Sequence, residues 1–475
     1  MAPVAVAVLA ANLLLKIPAA SADGIWLDEA VSLHVAQAPV SLATLAAAEP
    51  TPPLYYLLLC GWLRVFGFSL ESARLLSVLL SSATAVLLLD LGRRHLDGET
   101  ALVAAALFTS SKLQLHYAHE ARCYALVGLL CVASFDVFLA LVARPTRRKA
   151  LALGLLNAAL LYTHYVAVFA LVAQLASAAV LARERRAFVG CYVASQGFAA
   201  LLFTPWLVGL ARDGISQKDW IGPPTLARAR FVVKRFAGSS TLLTLWAAVA
   251  AAAVLGRRLR PAVPVDPAKI ATLALWAFAP VLLAYGASFV RQTLLDRYVL
   301  YASLGLYLLL GYVVSLAPVS RASRALLAAA LVGLSLWTTL AHPHRRHDWR
   351  TAVAVVREER ALGATPVVAP DWHLRPLAWY LDRAAFRDHA RTRERLEAAG
   401  VVPAEDVRAL RLEPRRHVLV LGPDGAIGAD AAQAWLEAQG FATIRRRELR
   451  GLTVLVVEPR PLTPAAGSAP RAAAR

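Results

Sequence analysis

Two carboxylates stand side by side in Trp26-Leu-Asp-Glu-Ala30. Adjacent side chains at a helix start diverge, so one acid can take a proton while the other orients it, as general base catalysis requires. Asp28 capping a helix that begins near Glu29 is the structural alternative. A second cluster, His116-Tyr-Ala-His-Glu-Ala-Arg-Cys-Tyr124, gathers two imidazoles, a carboxylate, a guanidinium and two phenols between apolar runs. His116 and Glu120 are four apart and share a helical face, whereas Glu120 and Arg122 diverge. Packing does not account for so many polar side chains there. A zinc site is disfavoured, because His-x-x-His-Glu has no further ligand nearby.

Three more groups carry chemistry of the same kind. Pro50-Thr-Pro-Pro-Leu-Tyr-Tyr56 makes a rigid opening to an apolar helix and places Tyr55 and Tyr56 at headgroup level. Arg74 follows in Ser72-Ala-Arg-Leu75, where a guanidinium serves either as a headgroup anchor or as a ligand for a substrate phosphate. His164 and Tyr165 close Leu161-Tyr-Thr-His-Tyr165, and Arg297 lies in Leu295-Asp-Arg-Tyr298, not far from Arg291. Asp348-Trp-Arg350 opens the polar C-terminal part.

The elements that must position these groups are apolar. The chain has 475 residues, of which 58% are hydrophobic and only 17% charged, against about 45–50% and about 25% for soluble domains. Mean hydropathy is +0.55. These values exclude an ordinary soluble enzyme, a disordered chain and a disulfide scaffold. Apolar runs at about 3–20, 70–92, 100–115, 123–143, 150–164, 165–182, 187–208, 239–256, 269–289, 298–317 and 322–340 predict about eleven transmembrane helices. Pro53–Phe66 is apolar but short, which suits an interfacial or re-entrant helix. Cys60, Cys123, Cys131 and Cys191 all fall within apolar stretches and read as small buried hydrophobes. The net charge of +19 is dispersed, so it does not mark a nucleic-acid face.

Basic loops at 144–149, 183–186 and 257–260 set the orientation, since cytoplasmic loops carry the excess of Arg and Lys. Alternation then places the N-terminus inside, on a retained first helix. Segments 21–69, 116–122, 209–238 and 290–297, and everything after His342, face outside. The fold class expected is an all-α polytopic membrane protein with a small C-terminal α/β domain. The expected divisions are a transmembrane domain over 1–342, an extracytoplasmic α/β domain over 343–458 and a disordered tail over 459–475. In the α/β domain a helical pattern runs from about Asp348 to Leu362. Strands are predicted at Val367–Ala369, His417–Leu421 and Leu452–Val457, and helices at Leu374–Leu381 and Ala431–Glu437.

The motifs together resemble glycosyltransferase family 39, in the RgtA/B/C/D-like and ArnT-like set with a GT-C fold. The resemblance covers roughly residues 1–350. Its parts here are Asp28-Glu29 after the first helix, Thr51-Pro-Pro-Leu-Tyr-Tyr56, Arg74-Leu-Leu-Ser77, His119-Glu-Ala-Arg-Cys-Tyr124, Thr163-His-Tyr165 and Asp348-Trp-Arg350. Thr51 replaces the usual His before Pro-Pro, and Leu76 replaces the usual Pro in the arginine motif.

The resemblance implies transfer of a sugar from a polyprenyl-phosphate donor to an envelope glycan, lipid or protein acceptor. The reaction would run with inversion at the outer face of a bacterial inner membrane. It implies Asp28 as catalytic base supported by Glu29. Arg74, Arg122 and Arg297 would face the donor phosphate, with Tyr55, His119, Glu120, Tyr124, His164 and Tyr165 lining the site. The chemistry requires no cofactor, and a divalent metal ion is the one alternative left open. The partners implied are the lipid-linked sugar, membrane lipids and the acceptor. A transporter or flippase of lipid-linked glycan is the competing reading. It would need midplane polar groups in broken helices, and the apolar runs hold little beyond Asp136, Asn157, Gln174 and Gln196.

Overall fold

The computed structural model describes residues 2–20, 24–37, 51–181, 186–213, 221–259, 266–342, 346–388, 391–423 and 425–460. The loop at 183–185, Lys218 and the tail beyond 460 lie outside the described residues, as does the expectation of a disordered tail there. The chain forms two compact units. One comprises 1–22 and 35–344, the other 23–34 and 345–475.

The larger unit is helical. Each apolar run of the sequence is a helix or most of one: Ala2–Ala20, Leu70–His95, Gly98–Ser110, Tyr124–Ala143, Arg147–Thr163, Val168–Leu181, Arg186–Asp213, Ser240–Leu259, Pro267–Ala287, Ala302–Ser315 and Arg321–Ala341. Among the described residues five of them are long and apolar enough to cross a membrane, or six spans in all if the bent pair Leu226–Ala237 with Ser240–Gly256 counts as one, against the eleven expected. Ala2–Pro18, Leu54–Phe66, Gly98–Ser110, Tyr165–Leu181 and Ala302–Ser315 are shorter apolar helices. The run at 100–115 breaks at Ser111, whose hydroxyl accepts from the Gln114 amide and starts a new helix, Lys112–Ala118.

Small residues let these helices approach. A Cβ on Gly311 would lie 2.6 Å from the Thr100 carbonyl oxygen, and one on Gly305 would lie 2.7 Å from the Trp276 ring. Trp276 in turn stacks on Phe135 at 3.8 Å. The few deep polar groups satisfy one another, as buried polar atoms must. Asn157 donates to Gln174 (3.1 Å) and Gln196 (3.2 Å), and Gln174 donates to Ser134 (2.7 Å). Asp136 takes Arg94 at 2.9 Å and His95 at 3.0 Å.

In the smaller unit a five-stranded sheet has the order β2-β1-β3-β5-β4. Its strands are β1 (Thr365–Ala369), β2 (Val402–Pro403), β3 (His417–Leu421), β4 (Phe441–Leu449) and β5 (Leu452–Pro459). β1 runs parallel to β2 and β3, while β5 is antiparallel to β3 and β4. Val367, Leu419 and Leu455 align across the sheet and pack with Leu436 of the Ala429–Ala438 helix and with Phe441. Asp348 caps the Trp349–Ala361 helix through the Thr351 amide at 3.1 Å.

Candidate functional site

In the larger unit the site is built on the turn between Lys112–Ala118 and Tyr124–Ala143. Ser77 donates to the Glu120 carbonyl at 2.6 Å, and the Arg122 amide donates to the same oxygen at 2.7 Å. His119 Nε2 lies 2.8 Å from the Lys16 carbonyl. His116 Nε2 lies 3.4 Å from Glu120 Oε1, the contact that their four-residue spacing predicts. Glu120 and Arg122 are both buried.

Arg122 Nη1 donates to the Tyr56 hydroxyl at 3.0 Å. Thr51 Oγ1 donates to the same hydroxyl at 3.0 Å, so the residue that departs from the family pattern still joins this cluster. Tyr55 packs edge-on against Tyr56. From Tyr117 an aromatic run continues through Tyr124 (5.2 Å between centroids), His164 (6.3 Å) and Tyr298 (4.9 Å). The Arg297 guanidinium ends it, 5.7 Å from the Tyr298 ring centre. His164 follows the Arg147–Thr163 helix, and its Nδ1 accepts from the Val166 amide at 3.2 Å. The Tyr165 hydroxyl accepts from Trp206 at 2.9 Å.

Two residues acquire roles that their types alone did not announce. Asp296 accepts from the Tyr117 hydroxyl (3.1 Å), from Arg235 Nε (2.9 Å) and from the Arg297 amide (2.9 Å). The sequence shows Asp296 only as the neighbour of Arg297; Arg235 lies 61 residues away from it. Arg74 is almost wholly buried, and its Nη1 donates to the Ala20 carbonyl at 2.8 Å. With His119 on the Lys16 carbonyl, it ties down the last turn of the first helix.

Asp28 and Glu29 belong to the smaller unit, on the helix Leu27–Val35. This helix begins before Asp28, so the structural alternative of Asp28 as its cap does not hold. The Ala30 amide donates to the Trp26 carbonyl at 2.9 Å, which makes Trp26 the residue preceding the first turn. Glu29, three residues on, reaches back to the Trp26 amide at 3.1 Å, half of a capping box. Glu29 is fully buried and pairs with Arg346 Nη1 at 2.6 Å. Arg450 Nε donates to the Arg346 carbonyl, and the Tyr380 hydroxyl accepts from the Ile25 amide. Asp28 retains partial exposure. Among the described residues no three His, Cys, Asp or Glu side chains are grouped to hold a metal ion.

Residues 50–208 match the family model described as dolichyl-phosphate-mannose-protein mannosyltransferase. That stretch includes the candidates from Tyr55 to Tyr165 and leaves out Asp28, Glu29 and Arg297. No curated protein matches the sequence. The fold is similar to that of ArnT from Cupriavidus metallidurans in the apo state, at 13% identity and TM-score 0.59, covering 95% of this chain and 97% of that one. The same protein bound to undecaprenyl phosphate matches at 13% identity and TM-score 0.55, covering 96% and 97%. The archaeal oligosaccharyltransferase AglB from Archaeoglobus fulgidus, in complex with an inhibitory peptide and a dolichol-phosphate, matches at 11% identity and TM-score 0.51, covering 87% and 69%. At these identities the likeness is one of fold. The family model matches 159 of the 475 residues, and over the rest of the chain the likeness is that of the fold.

Proposed function

We propose that the protein transfers a sugar from a polyprenyl-phosphate carrier to a hydroxyl of an envelope glycan, lipid or protein, with inversion, at the outer face of the bacterial inner membrane. The observation that carries this reading is the aromatic run of the larger unit with Arg297 against Tyr298, and in the same unit the buried Arg122 bound to Tyr56. Guanidinium groups hold phosphate oxygens through charge-assisted bonds, and aromatic faces pack against sugars. The fold shared with ArnT in its undecaprenyl-phosphate complex supports a carrier of that type.

Phosphate is a good leaving group, so the chemistry places its main demand on the acceptor hydroxyl, which must lose a proton. Of the two adjacent carboxylates, Glu29 is committed to Arg346 and the Trp26 amide, whereas Asp28 keeps solvent access. Asp28 is therefore the proposed base and Glu29 its anchor. Arg74, Arg122 and Arg297 are the proposed donor-phosphate side, and Arg74 also holds the end of the first helix. Tyr55, His119, Glu120, Tyr124, His164 and Tyr165 complete the proposed lining. No cofactor is part of the reading.

Titration of the purified full chain with a polyprenyl-phosphate sugar tests it. A charge-assisted contact contributes roughly 1.5–3 kcal/mol, so Arg122→Ala is expected to weaken donor binding by about tenfold or more. Arg122→Lys should recover part of that, because ammonium offers a point charge and no planar fork. Unchanged affinity in Arg122→Ala and Arg297→Ala would remove the phosphate from this cluster.

A further inference from the structure

The helix Leu226–Ala237 carries Arg228, Arg230, Lys234 and Arg235 and no acid. It meets the apolar segment Ser240–Gly256 at 80°. If that segment crosses the bilayer near its normal, the preceding helix lies close to the membrane plane. Its two faces differ. Val232, Phe236 and Ala237 are buried. Arg235 is bound to Asp296, and Arg228 Nη1 donates to the Gly222 carbonyl at 2.7 Å. The other face exposes Leu226, Ala227, Arg230, Phe231 and Lys234, with Leu226 59% and Phe231 53% accessible. These five positions recur at helical spacing and form one stripe.

We propose that this stripe docks the headgroups of anionic phospholipids, with Arg230 and Lys234 on phosphate oxygens and Leu226 and Phe231 among the first acyl carbons. Apolar and cationic side chains on one exposed face, with no balancing acid, match the composition of a bilayer interface and of little else. The opposite face fastens the helix to the aromatic run, since Asp296 holds Arg235 and the Tyr117 hydroxyl together. The proposal needs a membrane protein but not the sugar-transfer reading.

Hydrogen exchange of residues 226–237, in full-length protein held in lipid nanodiscs, tests it. Each basic side chain near an anionic surface strengthens binding about fivefold. Exchange is therefore expected to be roughly twentyfold slower in phosphatidylglycerol than in phosphatidylcholine with the same tails. Arg230→Gln with Lys234→Gln should abolish the difference, while Arg147→Gln with Arg148→Gln, at the exposed start of the Arg147–Thr163 helix, should leave it intact. Equal exchange in the two lipids, or a difference that survives in the Arg230/Lys234 variant, would overturn the proposal. So would stronger protection from a trace of short-chain polyprenyl phosphate in phosphatidylcholine, which would assign the two cations to the carrier instead.

Discussion

A buried carboxylate needs a cation, and Glu29 finds one in Arg346, 317 positions further along the chain. Removing the charge from Glu29 leaves a guanidinium buried without its counter-charge, at a cost of about 3–5 kcal/mol. Glu29→Gln should therefore destabilise the smaller unit strongly, as measured by denaturant unfolding with probes in that unit. Asp28→Asn keeps the shape of the side chain and removes its basicity. It should lower sugar transfer by at least about a hundredfold, the usual scale for a lost general base. Full transfer activity in well-folded Asp28→Asn protein would move the base elsewhere. A Glu29→Gln variant as stable as the parent would show that the pair is not the anchor. The adjacent acids and a division of labour between them were readable in the sequence as an expectation; the Arg346 partner of Glu29 was not, because Arg346 becomes a neighbour only on folding. Asp296 was hidden for the same reason: its partners, Tyr117 and Arg235, are distant in sequence.

At the scale of elements, period and punctuation were the readable signals. β3 and β5 are continuous β-branched and Leu-rich runs, and both stand where the pattern puts them. β4 reads Phe-Ala-Thr-Ile-Arg-Arg-Arg-Glu-Leu and escapes that test. It is an edge strand paired only with β5, and charged side chains there discourage pairing with another chain. Arg445 pairs with Glu358 and Glu359, and Arg446 with Asp430 and Glu448. β2 is two residues long and too short to show a period.

The loop after β1 carries a titration consequence. His373 is buried beside Trp349, and burial together with His347 lowers its pKa from the usual 6.5 to about 4. Between those values the unfolded chain binds a proton that the folded chain refuses, so stability rises with pH across this window and falls on acidification. The loss amounts to about 3 kcal/mol by pH 4 and levels off below it. Unfolding of the smaller unit followed from pH 7 to pH 4 should show this slope, and His373→Gln should flatten it whatever its effect on absolute stability. A residual slope from His417, also lowered by burial, should remain. An unchanged slope in the variant would mean that His373 is protonated within the fold.

At the scale of the whole chain, orientation depends on which apolar helices cross. Leu54–Phe66 has 13 residues, about 20 Å of helix against about 30 Å of hydrocarbon. Gly98–Ser110 also has 13 residues and Ala302–Ser315 has 14, so length alone does not separate them. Their flanks do. Gly98–Ser110 is prolonged past Ser111 by Lys112–Ala118, and Ala302–Ser315 is preceded by successive i to i+3 bonded turns from Leu295. Leu54–Phe66 is stopped at both ends, by Pro52-Pro53 before it and after it by Gly67 at φ +90°, a conformation other residues avoid. Of these three it alone is stopped at both ends, so it should not cross. Counting the other runs from the basic 144–149 loop as cytoplasmic then puts the end of the Arg321–Ala341 helix outside. Alkaline phosphatase, which is active only outside the cytoplasm, should be active when fused after Leu340 and inactive when fused after Arg148. The reverse pattern would mean that Leu54–Phe66 crosses after all and that every later segment is inverted.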